Sequence, residues 1–489
     1  MEERKVLSLP VDRIFLVIYL TLLSILSFAQ KANYDAHSIA NRKNLKEAIK
    51  TLTSDSLDGR LCGTEGQRKA AKFIANKFET LGLQGVNQSG YFQKFKLIET
   101  SCGEVYLKAG GRKLSNFKEV IQMDNISSPI ELEKEIIFGG HGNDDELEQI
   151  YVKDRIVFVF TDNLRAYYKL AERLKKRNAF GVILANPEND KQFGSIKKTY
   201  KNFKLQKKFL METNTARLDS MNVIHEFLIP NSEIKNVTGL SKHALKELIA
   251  SGNIKDCPIS KIQLKCEKII KEVETENVFG FLKGKSDSAI IISAHYDHLG
   301  RNENARFPGA DDNASGVAAL LALAELFSSS KELENTMVFL ATTAEEEGLL
   351  GSSFFVNSPF FKAQNTLCNL NLDMIGRIDS SHNQNDNYLY CIGTDSFKKL
   401  DIVVRKADSL YNDCRMDFNL NNSKDIAGYY TRSDQYSFYK KGVPAIHFFS
   451  GVHEDYHKPT DTFEKINYGL LQNRIKLISI VIDILQNSN

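Results

Sequence analysis

From residue 267 onward the chain alternates short apolar runs with longer segments of helical period. Ala289 to Ala294 is rich in isoleucine, Met337 to Ala341 and Asn369 to Leu372 follow as strand candidates, and Pro444 to Phe449 is the last. Between the first two, Ser315 to Phe327 is rich in Ala and Leu, with Gly316 in its first turn, and reads as the clearest helix. Strands spaced by helices predict an α/β fold: a three-layer α/β/α sandwich on a mixed sheet with parallel strands at its centre. Near the start, Asn44 to Leu52 is helical in pattern. A second helix runs from Glu65 to Leu81 and sets Ile74, Phe78 and Leu81 on one face, so it must pack against something larger. Thr64 and Gln67 are spaced as a capping box, and Gly82 supplies the stop.

Residues 105–266 have a different texture, with short β-like runs such as Glu135 to Phe138 and Arg155 to Phe160. They predict a mostly β domain inserted into the α/β one. The expected organisation is therefore 30–104 as an N-terminal helical part, 105–266 as the insert and 267–489 as the main α/β body. The Lys-rich stretch from Lys191 to Lys208 reads as a solvated loop.

Composition narrows the setting. A formal charge of +3 over 489 residues gives no case for nucleic acid. Residues 1–29 read as a signal peptide: Arg4, Lys5 and Arg13 precede and open an apolar run from Ile14 to Leu26, and Ser27-Phe28-Ala29 is a small-x-small cleavage site before Gln30. That run is shorter than the ~20 residues a transmembrane helix needs, so the expectation is a secreted or periplasmic protein, with retention as an uncleaved anchor as the alternative. No second membrane span appears in the sequence. The seven cysteines form no CxxC pair, which argues against a structural zinc, and export permits disulfides, with Cys257 and Cys266 as a local pair.

Most of the candidate chemistry sits just after the apolar runs. His295, Asp297, the pair Asp311-Asp312, the pair Glu345-Glu346, Asp373 and His457 lie at five separate points of the chain. Side chains so scattered converge when they occupy the carboxyl ends of neighbouring parallel strands. Imidazole and carboxylate together suit zinc, and two metals about 3.5 to 4 Å apart need a short anionic bridge. Asp311 is the natural bridge, pairing His295 with Asp373 on one metal and His457 with Glu346 on the other. A water shared by the metals becomes hydroxide near neutral pH. Adjacent side chains diverge, so Glu345 faces that water as general base while Glu346 ligates. Asp297 holds the second ring nitrogen of His295. His298, His447 and His453 read as structural or exposed.

The blocks HYDHLG, PGADDNASG, AEEEGLLGS, NLDMIG and YHKPTDT resemble the signatures of the M28 family of co-catalytic zinc peptidases. The resemblance implies two zinc ions (other divalent metals as alternatives) on His295, Asp311, Glu346, Asp373 and His457, with Glu345 as the base and Asp297 orienting His295. It further implies a cis peptide between Asp311 and Asp312. One departure stands out: Ser433-Asp434-Gln435 replaces the Ser-Asp-His of many relatives. The implied substrates are peptides or proteins and the implied reaction is removal of N-terminal residues. A carboxypeptidase- or dipeptidase-like hydrolase and, more remotely, a non-catalytic binding or receptor protein are the alternatives. Lys153-Asp154-Arg155-Ile156-Val157 and the segment from Lys175 to Ile183 resemble a protease-associated (PA) domain, whose implied role is to wall one side of the cleft.

Overall fold

The computed structural model describes residues 40–487 apart from 86–89, 125–128, 163–166, 205–206, 213–223, 303, 331, 384–385 and 425–426. The segment read as a signal peptide lies outside the described residues. Two compact units divide the chain, one holding the chain up to Phe95 together with Glu274–Asn489 and the other Lys96–Val273. The limits read from composition, 104 and 267, fall inside the strands Phe92–Ala109 and Ser260–Leu282.

In the first unit, strands Ala445–Phe449, Thr366–Leu372, Ala289–His295 and Thr336–Thr342 lie side by side and parallel. Tyr388–Ile392 adds antiparallel on one flank, and residues 278–282 add antiparallel on the other. The sheet is thus mixed with a parallel centre, as the pattern predicts. Its strands are mostly apolar because both faces are covered, and the polar Ser293, Asn369 and Asn371 among them hydrogen-bond to one another. Ile290, Ile292 and Ala294 face a core shared with helices Arg42–Leu52, Glu65–Thr80, Gly316–Ser328 and Tyr468–Gln486, while Ile291 and Leu340 face Phe355 and Phe438 from the other layer. Alternate residues therefore pack on opposite helical layers, which is the three-layer sandwich.

The second predicted helix runs Glu65–Thr80, and the Thr64 hydroxyl accepts from the Gln67 backbone N–H as a cap should. The Gln67 side chain does not close the box on Thr64: its Oε1 accepts from the Gly63 N–H at 3.3 Å, and its amide nitrogen donates to the Tyr296 hydroxyl. Gly82 follows with φ +73°, ending the helix.

The second unit is built on parallel strands Ile130–Phe138, Ile156–Phe160, Gly181–Ala185 and His225–Leu228. Phe158 and Phe160 face one core and Val157 and Val159 the other, so the strand Ile156–Phe160 is buried on both faces. The Lys-rich stretch is a helix, Lys191–Lys204, rather than a loop. Its Phe193, Ile196 and Tyr200 recur at helical spacing and pack on the second of those cores, a period hidden among the lysines. The local Cys257–Cys266 disulfide is not formed; both are thiols, and Cys266 is buried in the core.

Candidate metal centre

Parallel strands put their carboxyl ends on one edge, and the chain spends its acids and histidines there. His295 ends the strand Ala289–His295, Asp373 follows Leu372, and Glu345 and Glu346 follow the strand Thr336–Thr342. His457 lies in the loop beyond Ala445–Phe449, and Asp312 sits in the turn Ala310–Ser315 that opens the helix Gly316–Ser328. The turn is pinned by Asn313, whose Nδ2 donates to Leu372 O at 2.8 Å and whose Oδ1 accepts from Met374 N at 3.2 Å. A flanking loop thereby sits in register with the strand that carries Asp373.

The predicted residues converge, with one exchange. Asp312, not Asp311, occupies the middle: its Oδ1 is 3.4 Å from His295 Nε2, and its Oδ2 is 3.1 Å from His457 Nε2. Around the first oxygen, Asp373 Oδ1 lies 3.3 Å from His295 Nε2; around the second, Glu346 Oε2 lies 3.1 Å from His457 Nε2. Asp311 turns away because other partners claim it. Its Oδ1 accepts from Gly376 N at 2.6 Å and its Oδ2 lies 3.3 Å from His453 Nε2. The non-proline cis peptide is likewise displaced by one, between Asp312 and Asn313.

His298 is the residue that sequence reasoning set aside. Ligand atoms of His298, Asp312 and Glu346 lie within 4.8 Å of one another, as do those of His295, Asp312 and Asp373. His298 Nδ1 is 2.7 Å from Glu346 Oε1 but 3.8 Å from Asp312 Oδ2, whereas His457 Nε2 is 3.1 Å from both acids. That geometry fits His457 as the ligand and His298 as the group that holds Glu346. Its position in the HYDH block, three residues past His295, was the available signal.

A supporting shell surrounds these side chains. His295 Nδ1 is 3.3 Å from the Asp297 carbonyl and 3.7 Å from its Oδ1, and that oxygen also accepts from the Glu345 N–H at 3.2 Å. One carboxylate therefore orients the histidine and sets the backbone of Glu345. The Ser433 hydroxyl donates to Asp373 Oδ2 at 2.6 Å and is itself held by Asn371 Nδ2 at 2.8 Å, whose Oδ1 accepts from Ser293 at 2.7 Å. Asp461 accepts from the backbone N–H groups of Asp311 and Asp312. Gln435, the departure from the Ser-Asp-His pattern, is buried and donates to Tyr430 O at 3.0 Å.

Electrostatics agree with a site made for cations. Glu345 is held well above the ordinary carboxylate range by burial, with Glu346, Asp373 and Asp434 adding repulsion against the pull of His295. Glu346 goes the other way: burial opposes ionisation, but hydrogen bonds to His298 and His457 hold its carboxyl well below the usual range. Four buried acids this close need protonation or opposite charge among them, and two histidine–carboxylate pairs on a shared Asp312 match what zinc takes. Beside them opens a cavity of about 360 Å³, walled by Asp312, Glu345 and Asp373 on one side and by Tyr429, Arg432 and Phe449 on another.

Arg60 ties the loops beneath the site together. Fully buried, it donates to the carbonyls of Tyr296 at 2.8 Å, Pro308 at 2.7 Å and Gly309 at 2.9 Å, and also to that of Leu52. Gly59 beside it has φ +73° and lies so close to Gly300 and Phe307 that a Cβ would be 2.3 Å from Gly300 O, so no other residue fits. Arg60→Ala is expected to cost about 3 kcal/mol or more, since each buried carbonyl left unpaired costs about 1–3 kcal/mol. Denaturant unfolding checks this: an unchanged midpoint would show that water replaces the guanidinium at no cost.

Comparison with known proteins gives the same outline. The model of Peptidase family M28 matches residues 277–482. The probable leucine aminopeptidase of Arthroderma otae is 30% identical over 233 residues, 45% of this chain and 60% of the relative. The uncharacterized protein YfbL of Escherichia coli (strain K12) is 32% identical over 222 residues, 41% of this chain and 67% of that protein. The chain thus spans about three fifths of the leucine aminopeptidase it matches. Among solved structures, BSAP, a zinc aminopeptidase from Bacillus subtilis, is similar in fold, with a TM-score of 0.52 at 20% identity over 91% of this chain and 95% of that one.

Proposed function

The chain belongs to peptidase family M28, and on that premise we propose that it is a two-zinc aminopeptidase that removes residues from the N-terminus of peptides. The observation that carries the proposal is Asp312, whose two carboxylate oxygens face two separate histidine–carboxylate pairs. Asp312 would be shared between the ions, with His295 and Asp373 completing one position and His457 and Glu346 the other. Zinc bound there lowers the pKa of a coordinated water and polarises a carbonyl.

The chain's own groups do the rest. Glu345 accepts a proton from the attacking water and returns it to the leaving amine nitrogen, and its burial-raised proton affinity is in the sense that a general base near neutral pH needs. Asp297 and Ser433 hold His295 and Asp373 in place, so the donors need not reorganise during the reaction. The cavity is at the small end of ligand pockets, which suits the end of a peptide better than its middle. A carboxylate-lined wall also attracts the free α-ammonium group. The signal read in residues 1–29 would deliver the enzyme outside the cytoplasm.

Metal analysis joined to turnover of an aminoacyl-arylamide tests this reading. Two zinc ions per chain are expected, with activity lost to a chelator and restored by zinc. Chelation should also lower the melting temperature, because an ion bound only by the folded state stabilises it by about 4 kcal/mol at a thousandfold excess over Kd. Carboxy-blocked peptides should be cleaved and amino-blocked peptides spared. The opposite pattern would make the chain a carboxypeptidase.

A further inference from the structure

The cavity wall away from the metal-binding acids carries a cation that the proposed chemistry does not use. Arg432 is the one lysine or arginine among the lining residues. Its guanidinium carbon lies 5.0 Å from the centroid of the Tyr429 ring, and Tyr429 in turn packs at 5.6 Å against Phe449, another lining residue. An aromatic platform thus carries the charge at the cavity. Other arginines of the same unit behave differently: Arg306, Arg377 and Arg405 pair with Asp55, Asp455 and Asp401. Arg432 pairs with no carboxylate among the described residues, and its side chain is exposed.

Chain position sets its reach. Arg432 follows the short turn Tyr429–Thr431 and directly precedes Ser433, whose hydroxyl is bonded to Asp373 at 2.6 Å. A rigid contact therefore fixes the backbone of Arg432 next to the reacting end of the cavity. A guanidinium offers a planar fork of donors that matches a carboxylate in two parallel hydrogen bonds.

We propose that Arg432 is a specificity-determining residue that selects peptides placing a carboxylate against this wall. The proposal rests on the aminopeptidase reading and deepens it. The carboxylate has two sources, the C-terminus of a dipeptide or an acidic side chain, and the substrates separate them.

The zinc-loaded full chain is assayed on Leu-Leu, Leu-Leu-amide, Leu-Glu-amide and Glu-Leu-amide. Leu-Leu-amide is the reference, and at least one carboxylate-bearing peptide is expected to exceed it roughly tenfold in kcat/KM, mainly through KM, as a charge-assisted hydrogen bond supplies. The favoured peptide identifies the source. Arg432→Gln should bring that ratio close to one, Arg432→Lys should retain part of it, and, where an acidic side chain is the source, Arg432→Glu should turn the preference toward the peptide with lysine in its place. A ratio near one in the parent, or a ratio unchanged in Arg432→Gln, overturns the proposal while leaving the aminopeptidase reading intact. No turnover of any peptide by the zinc-loaded parent removes both.

Discussion

Replacing Asp312 by asparagine is expected to release zinc from both positions and to cut kcat/KM by at least about a thousandfold, the several kcal/mol that bound metal supplies to the transition state. The amide keeps the shape of the side chain but loses the charge and one of the two oxygens that face His295 and His457. The neighbouring replacement is the control. Asp311→Asn keeps an oxygen for the Gly376 N–H and disturbs only the contact with His453, so it should retain zinc and lose no more than the about 10–100-fold typical of changes outside the ligand shell. Metal content and kinetics of the two variants decide the matter. Zinc lost from Asp311→Asn and kept by Asp312→Asn would reverse the assignment.

Glu345→Gln is expected to lower kcat by about 10²–10⁴ while zinc content stays that of the parent. Glu345 Oε2 lies 3.9 Å from His295 Nε2, farther than the two acids that face that ring, Asp312 at 3.4 Å and Asp373 at 3.3 Å. An interaction made only in the transition state lowers kcat and kcat/KM together, so KM should hardly move. Single-turnover kinetics with metal analysis provide the check, and a Gln variant as fast as the parent would leave Glu345 with no part in proton transfer.

The parallel core and its terminal acids were legible because local signals agreed with the fold. The central strands are short, mostly apolar runs, and His295, Glu345, Glu346 and Asp373 come at or just after the carboxyl ends of three of them, where topology gathers them. The helix Glu65–Thr80 was legible from its cap and stop. The choice between Asp311 and Asp312 was not. Adjacent acids point opposite ways, and which one turns inward depends on Gly376, 65 residues on, and on Asp461, 150 residues on. Spacing along the chain holds no record of such contacts. His298 escaped for a similar reason, since its partner Glu346 is 48 residues away. The limits of the second unit were hidden because the strands Phe92–Ala109 and Ser260–Leu282 run on without a proline, so nothing in the composition marks where one core stops.

Arg60, in the connection between the first two helices, and Gln67, in the second, reach to Tyr296, Pro308 and Gly309, while the stretch that aligns with the family begins only at residue 277. Ancestry and autonomy therefore have different borders in this chain. Leu45, Ile49, Ile74 and Phe78 belong to the same core as the central strands, so a fragment cut at the homology boundary would leave a greasy scar on one side of the sheet and three carbonyls without their donor. What looks like a preface is half of the keystone, and any minimal version of the protein has to carry it.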